Sequence, residues 1–218
     1  METLVKGNVR VLSVPLSPEG AQKPLTLNPF DEQIVVQGLP ERAEIVRLGN
    51  SWYGKQNSTV VALNQAVPTT VAASAMWNGE QQGGKSYIID GLGWIPDVSA
   101  GAAAMFQLYA QLSLIAVTAA LTTADAGVIR GLIAGKVYGG KAVISKTVTV
   151  TDNGWIPVGQ PCNTAALIAN LGYAVWGMVN GLFIVPPGHH INLAITATNA
   201  TASGKCFYIW HERQIPLP

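Results

Sequence analysis

Charged side chains are scarce in this sequence. Its 218 residues include 13 Lys and Arg and 12 Asp and Glu, 11% in all, against about 25% in ordinary soluble domains. A net charge of +1 offers no surface to a polyanion, so no nucleic-acid partner is expected. The shortage is uneven. Residues 1–55 hold 12 of the charged side chains and the remaining 163 residues hold 13, with none between Asp152 and Lys205. So bare a surface invites association, and the C-terminal part is expected to be covered largely by copies of itself or by other subunits.

Cysteine is nearly absent too. Cys162 and Cys206 are the two in the chain, without the close Cys or His spacing of a zinc site. They are expected as free, buried thiols of a protein made in a reducing cytoplasm, a disulfide between neighbouring strands being the alternative. Met1 to Arg10 has no apolar core segment, so no secretory signal is expected. The nearest approach to a membrane span is GAAAMFQLYAQLSLIAVTAAL, residues 101–121. There Phe106, Leu108, Ala110, Leu112 and Leu114 alternate with Gln107, Tyr109, Gln111 and Ser113, the pattern of a half-buried strand, so no membrane partner is expected.

Material for catalysis is thin. Three histidines, His189, His190 and His211, could act as bases with Asp90, Asp97, Asp125 or Asp152, but none sits in a nucleophile elbow or a carboxylate pair. The stretch FIVPPGHHINLAI, residues 183–195, is similar to the corner of a cupin, a jelly-roll family that often holds metal. A cupin site needs His-x-His and a nearby Glu. Here the two histidines are adjacent, so on a strand they face opposite ways, and a turn with solvated histidines is expected instead. No catalytic, cofactor-binding or metal-ligating residue is assigned, and the chain is expected not to be an enzyme. The tryptophans, Trp52, Trp77, Trp94, Trp155, Trp176 and Trp210, are expected as core or interface anchors, with a sugar platform as the alternative.

One motif does suggest chemistry. In GEQQGGKSYIIDGLGWIPD, residues 79–97, Gly79, Gly84, Lys85 and Ser86 have the spacing of a phosphate-binding P-loop. That loop works only where a helix begins at the Lys-Ser, so that its N-terminus faces the phosphate. The residues after Ser86 are β-formers with two glycines and a proline, so no helix is expected and the segment reads as a polar hairpin tip.

What the chain has in quantity is strand. From Thr59 onward, β-branched and aromatic residues alternate with small or polar ones between Gly and Pro corners, as in KSYIIDGLGWI, KAVISKTVTVTDNGWI and HINLAITATN. The one helical candidate, Thr122 to Ile133, is broken by Gly127 and Gly131. The fold expected is all-β: a jelly-roll β-sandwich over residues 56–218, preceded by an extended N-terminal arm over residues 1–55. Prolines divide the arm into short pieces such as QIVVQGL and AEIVRLG that build no core alone. It either wraps its own domain or lies across a neighbouring subunit and adds strands there. Gly93-Trp94-Ile95-Pro96 recurs as Gly154-Trp155-Ile156-Pro157. The echo is read as two equivalent corners, or as a chance match of four residues.

Over residues 57–218 the pattern, with DNGWIPVG before a long strand, then GYAVWGMVNGLFIVPPGHHINLAITATNA and a closing KCFYIWHER, resembles jelly-roll virion structural proteins of tailed bacteriophages. These are capsid decoration (cement) proteins and fibre heads built on tumour-necrosis-factor-like trimeric sandwiches. The resemblance implies a non-enzymatic viral structural protein: a homotrimeric decoration protein that binds and stabilises the shell, partnering itself and the major capsid or other virion proteins. It also implies location in a virion assembled in the host cytoplasm. A receptor-binding or fibre-head module recognising a host surface glycan is the second reading, and a cupin-like metalloenzyme the third.

Overall fold

The structure, a computed structural model, describes residues 41–61, 66–67, 70–98, 104–118, 125, 129–164, 175–198 and 203–215. The chain divides into two units, 1–48 and 49–218. The expected arm as far as residue 40 lies outside the described residues. Its last part is not extended: AEIVRLG falls largely within a helix, α1, Glu41–Arg47. Glu44 accepts a hydrogen bond from Arg47 Nε at 2.7 Å one turn on, and the pair is also a salt bridge along the helix. These local signals outweigh the two β-branched residues, Ile45 and Val46.

The second unit is a sandwich of two antiparallel sheets. The first contains β1 (Ser51–Lys55), β4 (Ser86–Val98), β6 (Arg130–Gly131), β9 (Val175–Val185) and β11 (Ser203–Arg213), in the order β6-β1-β11-β4-β9, with β2 (Val60–Val61) also paired to β11. The second contains β3 (Val71–Asn78), β5 (Ala104–Leu112), β7 (Ala142–Thr149), β8 (Ile156–Thr164) and β10 (His190–Ala197), in the order β7-β3-β10-β5-β8. Eight of these strands pair as one nested hairpin: β1 with β11, β3 with β10, β4 with β9, β5 with β8. Rolled up, that nesting is the jelly roll that alternation and spacing imply. β1 covers the end of the 1–55 segment, and it is a strand of the first sheet rather than arm.

Between the sheets lies a core in which Trp94, Trp210, Tyr87, Tyr208 and Phe106 are fully buried. Trp94 meets Phe106 at a ring distance of 5.2 Å, and Tyr138 stands edge-on to Trp52 at 4.8 Å. Burial pushes the Cys206 thiol up, as it does the Tyr208 hydroxyl, so Cys206 is free and inert. Gln56, wholly buried just after β1, stitches the sheets together. Its Oε1 accepts from Cys206 N on β11 at 2.8 Å, and its Nε2 donates to Ala73 O on β3 at 3.2 Å and Ser145 O on β7 at 3.4 Å. Tyr208 donates to Ser74 Oγ across the same gap at 2.8 Å.

Two sequence expectations change. The segment 79–85 is no hairpin, because β3 and β4 belong to different sheets; it carries the chain from one sheet to the other. The two Gly-Trp-Ile-Pro stretches are not equivalent corners. Trp94 is inside β4 at the centre of the core, whereas Trp155 precedes β8 and packs against the small cluster of Ala72, Ala75, Val148 and Val150. Half of Thr122 to Ile133, the rejected helical candidate, lies outside the described residues, and from Arg130 that stretch is strand and turn.

Candidate interaction surface

Residues expected to carry chemistry are tied up in structure. Ser86 opens β4 and is buried, and Lys85 Nζ is bound to Glu212 Oε2 at 3.2 Å rather than held toward an anion. His190 is buried, not solvated as expected: its Nδ1 lies 2.8 Å from Asn192 Oδ1, and burial lowers its pKa. His189 stands in the turn before β10, off the strand, with its Nδ1 3.2 Å from Ser113 Oγ. His211 Nδ1 lies 2.9 Å from Asp90 Oδ2, an imidazole–carboxylate contact on the outward face of the first sheet. Among the described residues no three of His, Cys, Asp and Glu gather as metal ligands. A recess of about 990 Å³ opens at one end of the sandwich, lined in part by Glu80, Gln82, His189 and Gln214.

The more telling surface is the outward side of the first sheet. Across its strands the register sets Lys55, Phe207, Gly93 and Trp176 in one row and Tyr53, Ile209, Gly91 and Met178 in the next. Phe207 lies flat over Gly93, where a Cβ would collide with its ring. At the edge, β9 turns an uncharged apolar row to solvent: Trp176 is 51% exposed, Met178 39%, Leu182 68% and Ile184 37%. Trp176 and Met178 flank a notch of about 450 Å³ that reaches Gly159 and Gln160 of β8. Trp52, Trp94 and Trp210 are core anchors and Trp77 and Trp155 are half-buried, whereas the ring of Trp176 is offered outward.

β9 is an edge strand with a defect. Between its paired residues Met178 and Phe183, positions 179–182 stand opposite Asp90 alone on β4. Asn180 and Gly181 have φ of 47° and 81°, two consecutive left-handed residues as in a tight reversal. The excursion interrupts the row of backbone groups that another strand would need, which is how sheet edges avoid indiscriminate pairing. Side-chain packing is left as the way to cover it. In the sequence, Asn180-Gly181 reads as a turn between two strands, LIANLGYAVWGMV and GLFIVPP; the reversal is there, but it is an excursion within the single strand β9.

The other edge of the same sheet carries a second apolar patch. After β6, Leu132 N donates to Ser51 O of β1 at 3.0 Å, and the chain then turns, with Lys136 N donating to Ile133 O at 3.4 Å and Gly135 at φ 78°. Leu132, Ile133 and Val137 are exposed there, Val137 to 84%, beside the basic Arg130 and Lys136. Four strand spacings of about 4.8 Å put this patch roughly 19 Å from β9.

No protein-family model matches the sequence, and no curated protein is similar to it. Among solved structures, the structure of a marine algae virus of the order Picornavirales is similar at 11% identity over 99% of this chain and 91% of that chain. Its TM-score is 0.23, too low to bear on fold or role. The class is therefore defined by the pairing itself: a jelly-roll sandwich with an uncharged outward edge.

Proposed function

We propose that the protein is a non-enzymatic structural component of a virus particle, a trimeric capsid decoration protein that reinforces the shell through its sandwich surfaces and N-terminal arm. The observation that carries this is the apolar row on β9, Trp176 to Ile184, in a stretch with no charged residue from 153 to 204. A surface of that kind is stable in water when another subunit covers it. Its chemistry is binding by area: many weak contacts repeated by symmetry, with each arm, once tethered, finding its next site at high effective concentration.

Residues 49–218 contain both sheets and the core, so deleting 1–48 is expected to leave a folded body that binds particles at least ten-fold more weakly. Thermal unfolding and retention on particles lacking the full-length copy test the two halves. An unfolded body, or unchanged retention, overturns the division of labour. The recess beside Glu80, Gln82 and His189 supports the second reading, a fibre head recognising a glycan, and a few copies per particle instead of hundreds would favour it.

A further inference from the structure

The two apolar patches of the first sheet sit on opposite edges, and one contact between copies would cover both. We infer that copies of this chain associate head to tail, the β9 edge of one copy packing its Trp176 side against the β6 turn, Leu132 to Val137, of the next. This rests on the self-association in the function proposed above and names the surfaces that meet.

Three observations favour this pairing. The first is charge: the β6 turn is basic, through Arg130 and Lys136, while β9 carries no charge at all. Two β6 turns brought together would oppose like charges, a β6 turn on β9 does not. The second is coverage, since β9 against β9 would leave the exposed Val137 and Leu132 in water on every copy. The third is the excursion at 179–182, which hinders the two edges from merging into one continuous sheet and leaves Leu182 and Trp176 as side-chain knobs. A heterologous contact of this kind closes into a ring where its rotation permits and otherwise runs on as an open filament; a trimer requires the ring.

The test uses full-length chains in a Cys162→Ser background; Cys206 is buried and stays silent. Trp176→Cys and Val137→Cys chains, each with its own tag, are co-expressed and treated with a short bis-maleimide. Both positions are exposed, and Leu182→Cys, which keeps Trp176, runs alongside in case the tryptophan is needed for assembly. The mixed product is expected to exceed either self-product by ten-fold or more, with a multimer of three or more copies in light scattering. Self-linked Trp176→Cys and Leu182→Cys chains, with little mixed product, would overturn the head-to-tail contact in favour of a two-fold one. A multimer without any mixed product overturns the contact and leaves self-association standing; a monomer without it removes both.

Discussion

Replacing Gln56 isolates the bond set that joins the two sheets. In Gln56→Leu the volume is nearly kept, but Cys206 N loses the acceptor at 2.8 Å and two carbonyls lose their shared donor. A buried orphan N–H costs about 1–3 kcal/mol, and the longer bonds to Ala73 O and Ser145 O add little, so a loss of about 2 kcal/mol is expected. For a body of this size that is roughly a 4–8 °C fall in Tm. Gln56→Glu sharpens the test. Its carboxylate keeps one acceptor for Cys206 N but sets the other oxygen against two carbonyls in a site with no exposure, so the charged form is strongly disfavoured and its folded pKa rises above about 4.3. The protonated acid can donate as the amide does. Below about pH 4.3 the variant should therefore approach the wild type, and its deficit should grow by about 1.4 kcal/mol per pH unit as pH rises toward the folded pKa. Urea unfolding of both variants and the wild type at pH 4 and pH 7.5, at one protein concentration, measures this. A Gln56→Glu deficit that is the same at both pH values, or a neutral Gln56→Leu, would refute the stitch.

Other substitutions probe separate parts of the molecule. Gly93→Ala should cost about 1–3 kcal/mol, because the new Cβ meets the Phe207 ring and lies 2.8 Å from Trp176 Cβ; an unchanged unfolding midpoint would contradict that packing. Lys85→Ala should show no loss of nucleotide binding in calorimetry with magnesium and ATP, there being none to lose, yet destabilise by roughly 1–2 kcal/mol because the buried Glu212 loses its partner. His190, whose pKa is lowered by burial, takes up its proton more readily when unfolded. Its contribution is thus present above the unfolded value of about 6.5 and lost as pH falls below it, so Tm should drop less between pH 7.5 and pH 5 in His190→Gln than in the wild type.

The sheets were more legible than their surfaces. Period-two alternation placed β5 well, since Phe106, Leu108 and Ala110 are buried while Gln107 and Tyr109 are partly exposed. On β9 the same rule fails: Val175 and Gly177 face in, Trp176 and Met178 face out, and both sets are apolar or small, so periodicity cannot say which side is core. Gln111 reads as an outward polar residue but is buried, bonded to Thr151 O at 3.1 Å and accepting from Asn153 N at 3.0 Å. Local sequence also could not show that β3 and β4 belong to opposite sheets, because a turn signal is the same whether the chain reverses within a sheet or crosses between two. The Asp90–His211 contact joins β4 to β11 by way of a register shift that no motif announces.

The nested hairpin has a consequence for how the protein comes into being. β1 is made early, yet its main partner is β11, the last strand in order, and β11 also holds β4 and β2. While synthesis proceeds, the first sheet has no centre. The tip of the hairpin, β5 with β8, can close before the rest, and β4 can meet β9 and β1 can meet β6, but these two halves of the first sheet are joined only by a strand that the ribosome has not yet delivered. Folding should accordingly be slow, on the order of milliseconds to seconds as in other sandwiches, with apolar strands exposed meanwhile. Expression at lower temperature, or with chaperones that shield nascent strands, should therefore raise the soluble yield more than any substitution on the finished surface.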